Sequence, residues 1–80
     1  MRLTPKQNAV IWCLQNGWVL ITSSESRVII CANNTSQFEF GRRLFDNLLG
    51  KGLIHQLISS PFDFVLTKEG KNIKTKPVTI

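Results

Sequence analysis

Two adjacent arginines, Arg42 and Arg43, head the stretch Gly41-Arg42-Arg43-Leu44-Phe45-Asp46-Asn47-Leu48-Leu49-Gly50-Lys51. A guanidinium is a planar fork of donors that can hold a phosphate, or the O6/N7 edge of guanine, through two bonds at once. On a helix Asn47 falls one turn after Arg43, and its amide can pair with adenine or with a phosphate oxygen. Lys51, Lys68 and Lys71 are suited to phosphate contact, which supplies affinity and salt dependence but no sequence readout. Lys74 and Lys76 could add to this or could simply keep a tail in solution. The arginines also admit a plainer role. On a continuous helix Glu39–Arg43 and Arg42–Asp46 would be i,i+4 ion pairs on a solvated face.

Other chemistry finds little to work with. His55 is the single histidine, with no Cys, His or carboxylate at metal-ligand spacing, so it reads as structural or solvent-facing. A Ser–His–Asp arrangement would have to use it, and there is no G-x-S-x-G and no phosphate-cradling glycine loop. The five carboxylates are scattered. We therefore expect no enzyme, no cofactor, no metal and no small-molecule substrate.

The 80 residues carry ten Lys and Arg against five Asp and Glu, a net charge of +5. That excess favours phosphate-bearing or acidic partners through long-range attraction. An apolar fraction of 42%, with five Phe and two Trp, suffices for one compact core. Cys13 and Cys31 lie far apart, each inside an apolar run and outside any C-x-x-C pair. They read as buried thiols, in keeping with a cytoplasmic, reducing setting. The run Ala9–Leu14 is too short to span a bilayer, so no membrane association is expected.

These side chains need elements to position them. Thr4-Pro5-Lys6-Gln7 combines an N-cap threonine, proline at the first helical position and glutamine at N3, which predicts a helix from Pro5 to about Asn16. Gly17 would supply its left-handed end. Val10, Ile11, Cys13 and Leu14 form the apolar side. Trp12 points instead toward Asn8, Gln15 and Asn16, and there it is either covered intramolecularly or part of an interface. Trp18–Thr22 and Arg27–Ala32, broken by Ser23–Ser26, predict a hairpin.

A second helix is expected between Ser36 and Gly50, from a capping box over Ser36–Glu39 and an apolar stripe of Phe38, Gly41, Leu44, Phe45, Leu48 and Leu49. Gly41 allows a start as late as Phe40. Gly50 and Gly52 end it. Leu53–Ile58 and Phe62–Leu66 flank Ser59-Ser60-Pro61 as a second hairpin. Thr67 caps a short turn, and the chain from about residue 72 reads as loose. No helix is legible in 18–34 unless a short one hides in Thr22–Arg27. The expected fold class is α+β, in the order α-β-β-α-β-β with a short C-terminal helical turn or tail, as one domain over residues 1–80.

The stretch Gly41–Ile54, with Leu48 or Leu49 followed by Gly52-Leu53-Ile54, resembles the recognition helix and following strand of winged helix-turn-helix proteins. Leu66, Thr67, Gly70 and Lys71 match the Leu-Thr-x-x-Gly-basic phrase that closes the wing in MarR-like and PadR-like regulators. Leu3-Thr4-Pro5-Lys6-Gln7 resembles the Leu-Thr-x-x-Gln opening of their first helix. Together these phrases cover about two-thirds of the chain. The resemblance implies a small winged-helix-like domain that binds double-stranded DNA, as a transcriptional regulator or accessory factor. The chain departs from the pattern where a hairpin stands in place of the helix that braces the recognition helix. The hairpin tip Ser59-Ser60-Pro61-Phe62 also lacks the basic residue of a phosphate-tracking wing.

The nucleic-acid candidates are thus Arg42, Arg43, Asn47, Lys51, Lys68 and Lys71. The alternative is a protein-interaction module on the same scaffold, or a homodimer, with Trp12 and Phe62 as interface candidates. Binding of single strands or RNA would need aromatics such as Trp18 or the Phe62/Phe64 pair on an open β surface.

Overall fold

A computed structural model of the chain describes residues 3–22, 28–59 and 63–78. The first element is helix α1, Pro5–Gln15. Its capping box is complete: Gln7 N donates to Thr4 Oγ1 at 3.3 Å and Thr4 N donates to Gln7 Oε1 at 3.0 Å. Gly17, at φ 92°, turns the chain out, and Trp18 N closes a bond to Cys13 O at 3.0 Å. This is a Schellman end, in which only glycine takes the left-handed position without cost.

Three strands follow: β1 (Val19–Ile21), β2 (Val28–Ala32) and β3 (Gln37–Gly41). Then come helix α2 (Arg42–Gly50), strands β4 (Ile54–Gln56) and β5 (Asp63–Leu66), and the short helix α3 (Lys68–Asn72). The domain is α+β, as expected, with one strand more and a later second helix than the sequence suggested. Residues 37–41 pair along their whole length with β2, from Val28↔Gly41 to Ala32↔Gln37. Asn33 replaces the expected Ser36 cap: its Oδ1 accepts from Thr35 N at 2.9 Å and Ser36 N at 2.7 Å, turning β2 into β3. The alternation Gln37-Phe38-Glu39-Phe40-Gly41 has period two, and Phe38 and Phe40 are the half-buried members. Strand pairing prevails over the apparent helical stripe because both phenylalanines then face the core.

The sheet has the order β3-β2-β1-β5-β4, antiparallel throughout, with β1 at its centre. Leu20 lies opposite Cys31 on one side and Phe64 on the other. Leu20, Ile29, Cys31, Ile54 and Leu66 all point to one face, where they meet Val10, Ile11 and Cys13 of α1 and Phe45 and Leu48 of α2 in a single buried cluster. Both long helices therefore cover the same side of the sheet. The opposite side has no helix among the described residues. No described helix is long and apolar enough to cross a membrane.

Residues 70–76 of the segment after β5 are bonded to α1. Gln15 Nε2 donates to Gly70 O and Ile73 O, both at 2.9 Å, and Thr75 Oγ1 donates to Gln15 Oε1 at 2.6 Å. Asn8 and Lys76 exchange a reciprocal pair, Asn8 Nδ2 to Lys76 O at 3.0 Å and Lys76 N to Asn8 Oδ1 at 2.8 Å. Asn8 and Gln15 flank Trp12 on one helix face, so the segment crosses the side of α1 that carries the indole.

Gly70 is the tightest point of the packing. A Cβ there would meet Leu53 O at 2.1 Å. We expect Gly70→Ala to lose about 3 kcal/mol, the upper end of ordinary overpacking costs. Gly50→Ala, at a helical position with open space around it, should gain about 0.4–1 kcal/mol by restricting the unfolded chain. Urea titrations of the two variants should move in opposite directions.

Candidate nucleic-acid interface

Helix α2 starts abruptly. Gly41 is its N-cap, no side chain caps it, and its first turn holds no acid. The first N–H groups of a helix lack intrahelical partners and carry the positive end of the helix dipole. Arg42 and Arg43 occupy the first two helical positions and both are exposed. The Arg42 guanidinium lies 5.6 Å from the centroid of the buried Phe45 ring, within cation–π range. That ring is braced edge-on by Phe64 at 4.7 Å and 85°. Arg42 is thus held over a fixed aromatic, while Arg43 extends beside it. The pair is set by the side of α2 that points into the core, through Phe45 and Leu48.

Asn47 and Asp46 are exposed farther along the same helix, so the face bears one acid among its donors. Glu39 does not belong to it. It lies in β3, on the opposite side of the sheet from α2, so the helical Glu39–Arg43 pair expected from the sequence does not form.

At the far end Gly52, at φ 72°, ends the helix in a second Schellman arrangement, with Leu53 N bonded to Leu48 O at 3.2 Å and Gly52 N to Leu49 O at 3.0 Å. This turn also docks α3. Thr67 Oγ1 donates to Gly52 O, and Thr67 N donates to Leu53 O at 3.0 Å. The same threonine hydroxyl caps α3 by accepting from Gly70 N at 3.1 Å. Lys51 precedes Gly52 and Lys68 follows Thr67, so this bond brings two exposed lysines to one end of α2. Lys71 is exposed one turn later. It borders a groove of about 320 Å³, together with Leu14, Trp18, Val19 and Val65. The candidates consequently form two groups, Arg42, Arg43 and Asn47 on α2, and Lys51, Lys68 and Lys71 where α2 meets α3.

Charge is distributed by element. None of the five strands contains Lys or Arg, and their only acids are Glu39 and Asp63. All eight cations of the described residues lie in the helices or in the segments that adjoin them. The sequence shows the +5 excess but not that the described strands hold none of its cations.

The other candidates divide. Trp12 is half-buried and packs against the core. Phe62 lies outside the described residues, as do positions 23–27 of the stretch read as a possible short helix. Trp18 and Phe64 face the helices: Trp18 packs on Phe38 at 5.7 Å and Phe64 on Phe45. The bare side of the sheet therefore has no aromatic among its described residues. His55 is exposed on β4, its Nδ1 3.1 Å from Gln56 O. No three His, Cys, Asp or Glu converge among the described residues.

Comparisons with protein-family models, with curated protein sequences and with solved structures each find no match.

Cys13 and Cys31 are unpaired by disulfide, wholly buried and in contact. Burial pushes the Cys31 thiol up to about 12, helped by the neighbouring Cys13 sulfur, which repels a second negative charge and accepts its S–H. Burial also raises Cys13, and its bond with Cys31 partly offsets the rise. The folded state thus keeps protons that the unfolded chain releases above about pH 9. Stability from these thiols is complete below that pH and falls toward pH 12, by at most about 1.4 kcal/mol per unit for one group. Denaturation midpoints between pH 8 and 11 should fall less steeply in Cys31→Ala than in the parent.

Proposed function

We propose that this chain is a winged-helix-like protein that binds double-stranded DNA through the exposed face of α2, as a small transcriptional regulator or accessory factor. The observation that carries this reading is the uncapped, acid-free N-terminus of α2 presenting Arg42 and Arg43, in a chain whose described strands hold no Lys or Arg. A nine-residue α-helix is a rod roughly 13 Å long and about 10–12 Å across, and the major groove, about 12 Å wide, accepts that diameter. Arg42, Arg43 and Asn47 would face base edges or phosphates. Lys51, Lys68 and Lys71 would take flanking phosphates and add the salt-dependent part of the affinity.

The connectivity is consistent with this reading. Helix α2 runs through a tight glycine turn into the β4–β5 hairpin, and β5 pairs with β1. A winged helix joins its recognition helix to a wing in this way. In place of the usual bracing helix the chain has the β1–β2–β3 meander, whose last strand runs directly into α2. The brace would then be covalent: Gly41 is at once the end of β3 and the cap of α2.

Binding to a random-sequence duplex of 20–30 base pairs over a salt series tests the proposal. Each of Arg42→Ala and Arg43→Ala should weaken binding and lower the slope of log K against log salt by about 1. A folded protein that does not bind at low salt would remove the DNA reading.

A further inference from the structure

The ladder that joins β1 to β5 is short. It holds Leu20↔Phe64 and Ile21↔Asp63 and stops there. Val19 and Val65 come next in register, and both strands continue past that point. Val19 pairs with Ala32 on one side and Val65 with His55 on the other. Between them opens a groove of about 320 Å³. Side chains from both faces of the sheet line it, Trp18 and Leu66 from the helical side, Val19 and Val65 from the other. A continuous ladder would keep those two sets apart, because successive side chains of a strand point to opposite faces. Leu14 of α1 and Lys71 of α3 complete the wall. The meander and the hairpin thus part at this end of their seam.

The lining is apolar except for Lys71. That side chain is exposed, and no carboxylate pairs with it among the described residues. The volume lies at the small end of the range for ligand pockets, about 300–1,000 Å³. Such pockets combine apolar walls with a few polar groups that fix orientation, and here the polar group is a single cation.

The geometry points to a small amphiphilic carboxylate as the occupant, a single-chain fatty acid of short to medium length. Its tail lies between β1 and β5 and its carboxylate meets the Lys71 ammonium. Charge and size select it. The apolar walls reward hydrocarbon in proportion to the area they cover. One ammonium with no acid in the lining calls for one negative charge. A nucleic acid, with a charge on every nucleotide, would find a single cation here. A lipid with two acyl chains would exceed the volume. The site is independent of the proposed DNA contact except at Lys71, since no residue of α2 lines the groove.

Titration of ¹⁵N-labelled protein with sodium octanoate tests the site. The Trp18 indole N–H and the amides of Val19 and Val65 should shift, with a dissociation constant of roughly 0.1–1 mM. Trp12→Phe assigns the two indole signals, and should it fail to fold, the two valine amides carry the readout. Along hexanoate, octanoate and decanoate, binding should tighten about two- to fourfold per methylene. Lys71→Gln, at an exposed position, should weaken octanoate about two- to fivefold and leave octan-1-ol, which has the tail without the charge, unchanged. No shift at Trp18, Val19 and Val65 by about 10 mM octanoate, or shifts elsewhere only, would overturn the site. Acetate binding as well as octanoate would overturn the role of the apolar walls. Octanoate binding indifferent to Lys71→Gln, or an equal loss for octan-1-ol, would overturn the carboxylate assignment.

Discussion

The pairing of β1 with β5 is the constraint on which the architecture depends. It joins two parts of the chain that are otherwise separate sheets, the β1–β2–β3 meander and the β4–β5 hairpin, at Leu20↔Phe64 and Ile21↔Asp63. Leu20 is the hinge of this arrangement, fully buried between Cys31 and Phe64. A one-residue slip would turn Leu20 outward and bring Val19 and Ile21 in. Since β1 is apolar on both faces, polarity alone does not forbid the slip. The register is held by what β1 meets: the hydrogen-bonded end of α1 at Trp18, and the full-length pairing of β2 with β3 beyond it.

From that junction the position of the candidate interface follows. Phe64, brought in by β5, supports Phe45 of α2, and Phe45 in turn sits beneath the Arg42 guanidinium. At the other end of the helix, Gly52 and Leu53 receive Thr67, and the absence of a side chain at Gly70 lets α3 come down onto Leu53 O. The placement of both groups of basic residues therefore depends on close contacts made by uncharged ones. The glycine phrase that ends α2 and the Thr-x-x-Gly phrase after β5 are two halves of one joint.

Much of this was legible from residue types that have a single local use. Thr4 and Gln7 fixed the start of α1, Gly17 its end, and Thr67 the start of α3, because a cap or a left-handed turn is a short-range requirement. The β1–β2 and β4–β5 hairpins followed from their apolar runs. β3 was misread because Phe38, Gly41, Leu44, Phe45 and Leu48 also fit a helical stripe, and only pairing with β2, a long-range contact, decides for the strand. The bonding of residues 70–76 to α1 was not legible for a related reason. Asn8 and Gln15 hold it through side-chain amides some 60 residues away in sequence, and an amide on a helix gives no local sign of such a partner. Of the candidate site, the residue types were legible but their grouping was not, since the segregation of charge from strands emerges only once the strand bounds are in place.

The central claim is the proposed DNA contact through the exposed face of α2 and the lysines where α2 meets α3. Amide chemical-shift mapping in ¹⁵N-labelled protein, titrated with a short DNA duplex at low salt, tests it directly. Perturbations should concentrate at Arg42, Arg43, Asn47, Lys51 and Lys68, and leave Val19, Ile21 and Ile30 in place. Perturbations centred on β1 and β2, or none at saturating duplex, would contradict the account.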